Sequence, residues 1–412
     1  MTLKADFSCC IIGAGPAGLI AAERLSEAGC RVAIYDRMPT PGRKFLMAGR
    51  GGLNLTHSED MPDFVSRYGA ASGWMAPLIQ SFSPDELQNW SALLGEPVFT
   101  GSSGRVFPKS FKASPLLRAW LARLRSNGVT FYMNHDWQGF NDKGALHFTQ
   151  SMGKSVFIKS DAVLLALGGA SWPKLGSNAS WVSILNSINV DIVPLRSSNV
   201  GGLIKWSDHF ISRFAGVPLK RLIVRCGSVQ SHGEATITKG GIEGGAIYAL
   251  GPELRRVLEQ QNDVEIFLDL RRDLTIEQIM SRLAQKRGKK SLSSYLSRTI
   301  GLDPLSIALL RESALQHQKS LSDEPESLAR AIKSCSLIVS GLGGLDRAIS
   351  TAGGIKRTEI DERMMLKKKP GIFTAGEMID WDAPTGGYLL QACFSSGITA
   401  ARGMLDWLNE RR

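Results

Sequence analysis

The sequence predicts an α/β protein: a Rossmann-like, doubly wound parallel sheet with an inserted mostly β domain and a small helical subdomain. Three observations carry this. Cys9–Asp36 reads as strand, glycine turn, helix and strand. Helical and strand patterns then alternate through the first half of the chain and return near its end. Between them, from about Ser197, the texture changes to β alternation broken by glycines, and then to short helices. The expected domains are 1–196 and 336–412 for the dinucleotide-binding part, 197–275 for the β-rich insertion and 276–335 for the helical subdomain.

The first element is the apolar strand Cys9–Ile12, followed by Gly13-Ala-Gly15-Pro16-Ala17-Gly18 and a helix with Leu19, Ala22 and Leu25 on one face. In this context G-x-G-x-x-G marks a dinucleotide site. Gly13 permits the tight turn, Gly15 lets backbone approach a pyrophosphate, and Gly18 lets helix and strand pack closely. The helix N-terminus offers free N–H groups to the phosphates. A second strand, Arg31–Tyr35, ends at Asp36, whose carboxylate is placed to accept ribose hydroxyls; Arg37 follows it.

The segment Pro39–Glu59 carries four glycines and the cations Arg43, Lys44 and Arg50. Glycine costs about 1 kcal/mol at each interior helical position, so the segment is expected to be a loop. Gly49, Arg50 and Asn54 are expected to lie near an anion or a polar ring; a plain surface loop is the other reading. Helices are expected over Trp74–Phe82, over Pro84–Leu94 with Ser83 as N-cap, and over Pro115–Asn127 with Ser114 as N-cap. Strands follow at Thr130–Met133, Gly144–Gln150, Val156–Ile158 and Ala162–Leu167, the last ending in Gly168 and Gly169.

In the insertion, Asn199–Trp206, Leu219–Gly227, Glu234–Lys239 and Val264–Leu268 alternate as strands, and Ile276–Arg287, Ser291–Ile300, Pro304–Ser313 and Leu328–Cys335 read as helices. Lys239–Ala246 is glycine-dense, either a pocket lining or a hairpin turn. Strands Leu337–Ser340, Ala348–Thr351 and Ile372–Ala375 then lead to Gly376–Glu377, and Gly386–Gly387 precede a final helix, Tyr388–Asn409.

With 412 residues, 43% hydrophobic and 21% charged, the composition is that of a soluble globular protein of two or three domains. No apolar run reaches the roughly 18 residues of a membrane span, and no secretory leader is visible. Six cysteines without regular spacing suit a reduced, cytoplasmic protein, and no His–Cys spacing suggests a metal. The net charge of +11 fits nucleic-acid contact or simply solvated basic faces. The basic clusters are short, Lys286–Lys290 and Lys367–Lys369, and lack interleaved aromatics, which favours solvated faces and makes a nucleic-acid partner unexpected.

Six stretches resemble a bacterial family of FAD flavoproteins that includes NAD(P)/FAD-dependent oxidoreductases and aminoacetone-oxidase-like proteins. They are GAGPAG, GRKFLMAGRGGLN (Gly42–Asn54), GRVFPKSFKA (Gly104–Ala113), VLLALGGASWPKLGSN (Val163–Asn178), STAGGI (Ser350–Ile355) and PGIFTAGEMIDWDAPTGGYLLQA (Pro370–Ala392). Relatives commonly carry Arg-Cys-Asn where this chain has Gly52, Leu53 and Asn54, and Asn where it has Leu389. These departures mark a distinct branch.

The resemblance implies FAD as cofactor, with Gly168–Gly169 and Gly376–Glu377 beside it and Gly386, Gly387 and Tyr388 facing the flavin ring. A helix start there would stabilise negative charge on the ring. The implied function is an oxidoreductase moving hydride between a small organic substrate and flavin, with transient NAD(P)H or oxygen as electron partner. The alternative is an FAD-binding redox sensor or RNA-associated flavoprotein. The insertion, which builds none of the cofactor fold, is expected to cover the ring. The catalytic group is open: Asp380 and Asp382 flank Trp381 and are either acid–base groups or turn formers, and His57, near Asn54, either faces the flavin or is a solvated loop residue.

Overall fold

The computed structural model describes residues 7–49, 51–150, 153–285 and 287–411. The chain forms two compact units, Met1–Arg196 with Ser350–Arg412, and Ser197–Ile349.

The first unit is built on five parallel strands in the order Ile372–Thr374, Ser160–Leu165, Phe7–Ile12, Val32–Asp36 and Thr130–Met133. Cys9 pairs with both Ala162 and Val32, so its strand is central. A central parallel strand is covered on both faces, which is why Cys9–Ile12 is an unbroken apolar run, all of it buried. The fingerprint helix, Pro16–Glu27, lies against the C-terminal helix, Tyr388–Asn409. A Cβ on Gly397 would stand 2.4 Å from the carbonyl oxygen of Ala17, so only glycine allows the two helices this approach. An antiparallel three-stranded sheet (His135–Phe140, Leu146–Gln150, Ser155–Ile158) and a smaller one (Thr56–His57, Arg105–Pro108, Val98–Thr100) complete the unit. The strands Ile192–Ser198 and Ser350–Ile355 pair where the chain leaves this unit and comes back.

Two local expectations are corrected. The loop after Asp36 contains a helix, Arg43–Ala48, because its glycines flank the run RKFLMA rather than interrupt it: Gly42, at φ +70°, precedes it and Gly49 ends it. The next predicted cap, Ser114, lies inside a helix that spans Ala113–Ser126 behind Lys112. Proline is tolerated throughout a first turn, whose N–H groups have no helical partner, so Pro115 did not set the start. Ser83 does cap its helix, reciprocally with Glu86.

The second unit holds a seven-stranded sheet in the order Cys335–Val339, Val264–Asp269, Pro218–Cys226, Val229–Thr238, Gly241–Glu243, Gly202–Leu203 and Gly341–Leu342. Lys239–Gly240 is the turn of a hairpin within it. Helices Ile276–Leu283, Leu292–Ile300, Pro304–Gln316 and Pro325–Lys333 bury Ile279, Leu296, Leu309 and Ile332 in the same core as Val224 and Ile266. The helices expected to form their own subdomain therefore share one core with the sheet. The strand expected at Leu337–Ser340 and assigned to the returning cofactor half spans Cys335–Val339 and pairs with Val264–Asp269 instead.

The first unit's core encloses a carboxylate at the fingerprint helix. Glu23, 1% exposed, accepts bonds from the indole N–H groups of Trp90 and Trp120 (2.6 Å for the shortest, from Trp120) and from Arg123 (2.9 Å). The carboxylate ties the fingerprint helix to two others, and its loss would strand three donors. Replacing Glu23 with Ala is expected to lower unfolding free energy by about 3 kcal/mol, read from urea denaturation. A change below about 1 kcal/mol would show that the donors find other acceptors.

Candidate cofactor and active site

The fingerprint turn is held by backbone proximity. Gly13, at φ +111°, donates its N–H to the Tyr35 carbonyl at 2.8 Å, and a Cβ there would lie 2.2 Å from the Ala166 carbonyl oxygen. A Cβ on Gly18 would lie 2.1 Å from the Gly13 carbonyl oxygen. Gly15 differs: nothing lies within 4 Å of where its Cβ would be. It stands at the N-cap of the fingerprint helix, with Pro16 opening the first turn and no side chain capping the N–H groups. Gly13 and Gly18 thus serve the fold, and Gly15 borders open space at a positive helix end, the arrangement that receives a pyrophosphate.

Asp36 ends its strand as expected. Its carboxylate accepts the N–H of Ala14 at 2.7 Å and of Met38 at 2.8 Å, fixing the fingerprint turn from the side. Burial raises its pKa, against those two N–H groups and the cations Arg37 and Arg43. Arg37 points to the Gly176 carbonyl and, at 3.8 Å, to Asp136. Arg43 leaves its buried Nε without a partner among the described residues.

Three segments converge on Glu377. Its carboxylate accepts Lys44 Nζ at 2.8 Å and the N–H groups of Thr351 (2.9 Å) and Gly169 (3.3 Å). Lys44 also donates to the Ser171 hydroxyl, and the Thr351 hydroxyl accepts the N–H groups of Ala170 and Ser171. Gly169 has no room for a Cβ, which would lie 2.4 Å from Thr351 Oγ1, and one on Gly168 would meet Ser177 Oγ at 2.8 Å. The side chains of Lys44 and Glu377, expected on the cofactor, therefore bind each other. What this turn presents is backbone, with Gly376 at φ +80° against Ala17. Thr351 and Ser171 gave no separate signal in the sequence.

At the far end, Gly386 (φ +131°) and Gly387 (φ +97°) lead into the C-terminal helix, which no side chain caps. A Cβ on Gly387 would be 2.6 Å from Thr56 Cα, so this helix start is pressed on the backbone of the glycine-rich loop. Close by in sequence, Asn54 Oδ1 and Thr56 Oγ1 are buried without a partner among the described residues. Orphaned buried oxygens beside an uncapped helix start suit the polar edge of a bound ring. Together with the open face of Gly15, they fit FAD. Gly49 closes the Arg43–Ala48 helix against Ala113. Arg50 lies outside the described residues.

The Tyr388 hydroxyl donates to Glu59 Oε1 at 2.5 Å, and its carbonyl accepts from Tyr68 at 2.7 Å. His57 stacks on the Tyr388 ring, its Nε2 bonded to the Ser103 carbonyl and its Nδ1 accepting the Glu59 N–H. Both ring nitrogens are engaged with backbone, so His57 is a packing residue. Asp382 accepts the N–H of Ala383, a turn role. Asp380 is half-buried and its pKa is raised, by burial first; Arg357 and Arg196 pull it down and Asp382 pushes it up. Asp380 combines a carboxyl whose pKa burial raises with a place on the turn leading to the helix start.

No described group of His, Cys, Asp and Glu forms a metal site, and no described helix is long and apolar enough to cross a membrane. No disulfide joins the six cysteines; five are buried and Cys30 is partly exposed. The hydrogen bond with Cys30, then burial, holds Cys9 far above the usual thiol range; burial alone raises Cys10, and it pushes Cys335 and Cys393 up to about 12. Thiols held this high form no nucleophile near neutral pH.

Two outcomes are expected. Gly15→Val should give a soluble protein with the urea midpoint of flavin-stripped wild type and no bound FAD, whereas Gly13→Val should fail to accumulate folded protein. Full flavin occupancy in Gly15→Val would refute the assignment. A variant with all six cysteines replaced by alanine should bind FAD and turn over at the wild-type rate per folded molecule, with reduced stability only; loss of flavin reduction in the folded variant would assign a thiol to the chemistry.

The chain matches the HI0933-like protein Rossmann domain over residues 7–403. It is 25% identical over 410 residues to the 3-dehydro-bile acid delta(4,6)-reductase of Clostridium scindens, covering 96% of this chain and 98% of that one. It is 23% identical over 412 residues to the ribosomal RNA dihydrouridine synthase of Escherichia coli, covering 97% and 98%. In fold it is similar to the crystal structure of 3-ketosteroid-delta4-(5alpha)-dehydrogenase from Rhodococcus jostii RHA1, with a TM-score of 0.51 at 14% identity, over 99% of this chain and 98% of that one. It is also similar to a flavocytochrome c3 fumarate reductase, with a TM-score of 0.54 at 14% identity, over 98% and 78%. The fingerprint geometry and the extent of the family match lead to one conclusion: the chain belongs to the HI0933-like Rossmann-domain family and is an FAD-dependent oxidoreductase.

Proposed function

We propose that this flavoenzyme reduces a carbon–carbon double bond conjugated to a carbonyl, in a flat and largely apolar small molecule. NAD(P)H is the transient electron donor and oxygen a competing acceptor. The observation that carries the reading is an aromatic wall beside the glycine-rich loop. Phe107 stacks on both Phe99 and Phe111, which are tilted to each other, with centroids 5.2 to 5.9 Å apart, and a Cβ on Gly52 would lie 2.9 Å from the Phe111 ring. Phe111 is 46% exposed and sits at φ +59°, a conformation costly for a bulky residue. An exposed, strained phenylalanine next to a cofactor loop is accounted for by a ligand that covers it.

Adding two hydrogens across such a bond takes a hydride at one carbon and a proton at its neighbour. FAD, when bound, supplies the hydride. The chain orients the substrate on the phenylalanines and holds the proton on Asp380, whose burial favours the protonated carboxyl. The names of the Clostridium scindens and Escherichia coli relatives both describe saturation of a ring double bond next to a carbonyl, which supports this reaction class.

A second reading places the same chemistry on a pyrimidine of RNA, favoured by the net charge of +11. The two readings separate by salt: turnover of a neutral cyclic enone is insensitive to ionic strength, and turnover of RNA falls steeply with it.

The test is anaerobic: flavin bleached by NADPH or NADH should regain its colour on addition of a 3-oxo-4-ene steroid or a simpler cyclic enone. Regain with oxygen but with no enone would overturn the proposal. Asp380→Asn should lower turnover by about 10²-fold or more with flavin retained. Phe111→Ala should raise KM by roughly tenfold with kcat little changed, the worth of one aromatic contact.

A further inference from the structure

We infer that the second unit carries an anion-binding cleft for a small phosphate ester of the mononucleotide class, independent of the flavin site. A cleft of about 400 Å³ opens between the helices Asp208–Phe214, Leu292–Ile300 and Pro304–Gln316. Arg213, Arg298 and Arg311 line it, one from each helix. The one lining carboxylate, Glu312, is buried and already accepts both the N–H and the hydroxyl of Ser207, at 3.0 and 2.6 Å. Three guanidiniums thus share a cleft whose only acid is committed elsewhere. They stay always charged, and their planar forks match phosphate oxygens.

The rest of the lining divides by chemistry. Ser293, Ser294 and Ser297 stand beside Arg298 on one helix face and add hydroxyl donors, and Arg311 already bonds Ser293 Oγ at 2.6 Å. Phe210, Phe214 and Ile307 form an apolar floor. An anionic head among arginines and serines, with a planar body on phenylalanine, describes a nucleoside monophosphate. The volume lies within the range of small-ligand pockets, about 300 to 1,000 Å³.

The test uses FAD-saturated full-length protein, so that the flavin site is filled, titrated calorimetrically with AMP and with inorganic phosphate. AMP should bind with phosphate competing. Arg298→Glu with Arg311→Glu should weaken AMP by at least roughly tenfold, the worth of one or more charge-assisted bonds, with flavin occupancy and melting unchanged. All three arginines are exposed, so charge reversal leaves the fold intact. Ala308→Trp fills the cleft without altering charge and should weaken AMP as much. Three results would overturn the inference: no binding of either probe at millimolar concentration, equal affinity in wild type and both variants, or binding of a short RNA that AMP does not displace.

Discussion

Backbone must touch backbone at the fingerprint, and the first unit depends on it. Gly13 meets the carbonyl of Ala166, Gly18 meets the carbonyl of Gly13, and Gly397 meets the carbonyl of Ala17. Strand, helix and second helix are thereby stacked without side chains between them. The close stack sets the fingerprint helix so that its N-terminus, at Gly15, looks onto open space. A methyl group at any of the three contacts would push the layers apart. Close packing and an open face are thus divided among neighbouring glycines.

The second organising interaction is the Glu377 carboxylate. It holds the ends of three chain segments that local geometry would leave loose, and Lys44 neutralises it. A carboxylate taken out of water needs such partners, and having them it becomes a rigid post. The Lys44–Glu377 pair also bears on chemistry at one remove: it fixes the Gly168–Ser171 and Gly376–Met378 turns, so the backbone they present is set before any ligand arrives.

Much of this was legible because it is local. The glycine spacing, the Ser83 cap and the span Tyr388–Asn409 each follow from residues a few positions apart, and the structure has them where the pattern placed them. What was not legible joins distant positions: Lys44 with Glu377, 333 residues apart, and Tyr388 with Glu59, 329 apart. No periodicity encodes such a pairing, so Lys44, Glu377 and Tyr388 read as cofactor contacts. The helix Arg43–Ala48 was hidden for a different reason. Average glycine content describes a segment, but a helix needs only one uninterrupted run. Likewise the short helices of the insertion carry good amphipathic patterns, and those patterns do not say which sheet receives the apolar face.

The pairing of Ile192–Ser198 with Ser350–Ile355 has a consequence for how such proteins diversify. A guest segment that leaves and rejoins its host through neighbouring strands costs the host a closure entropy that grows only with the logarithm of its length. The host sheet, whose five strands all lie outside 197–349, is complete without it. Evolution can then lengthen, exchange or repurpose the guest while the fingerprint stays under its own packing constraints. Relatives that share the same nucleotide fold are free to differ in what they act on, and distant sequence identity across the whole chain is what such a division of labour leaves behind.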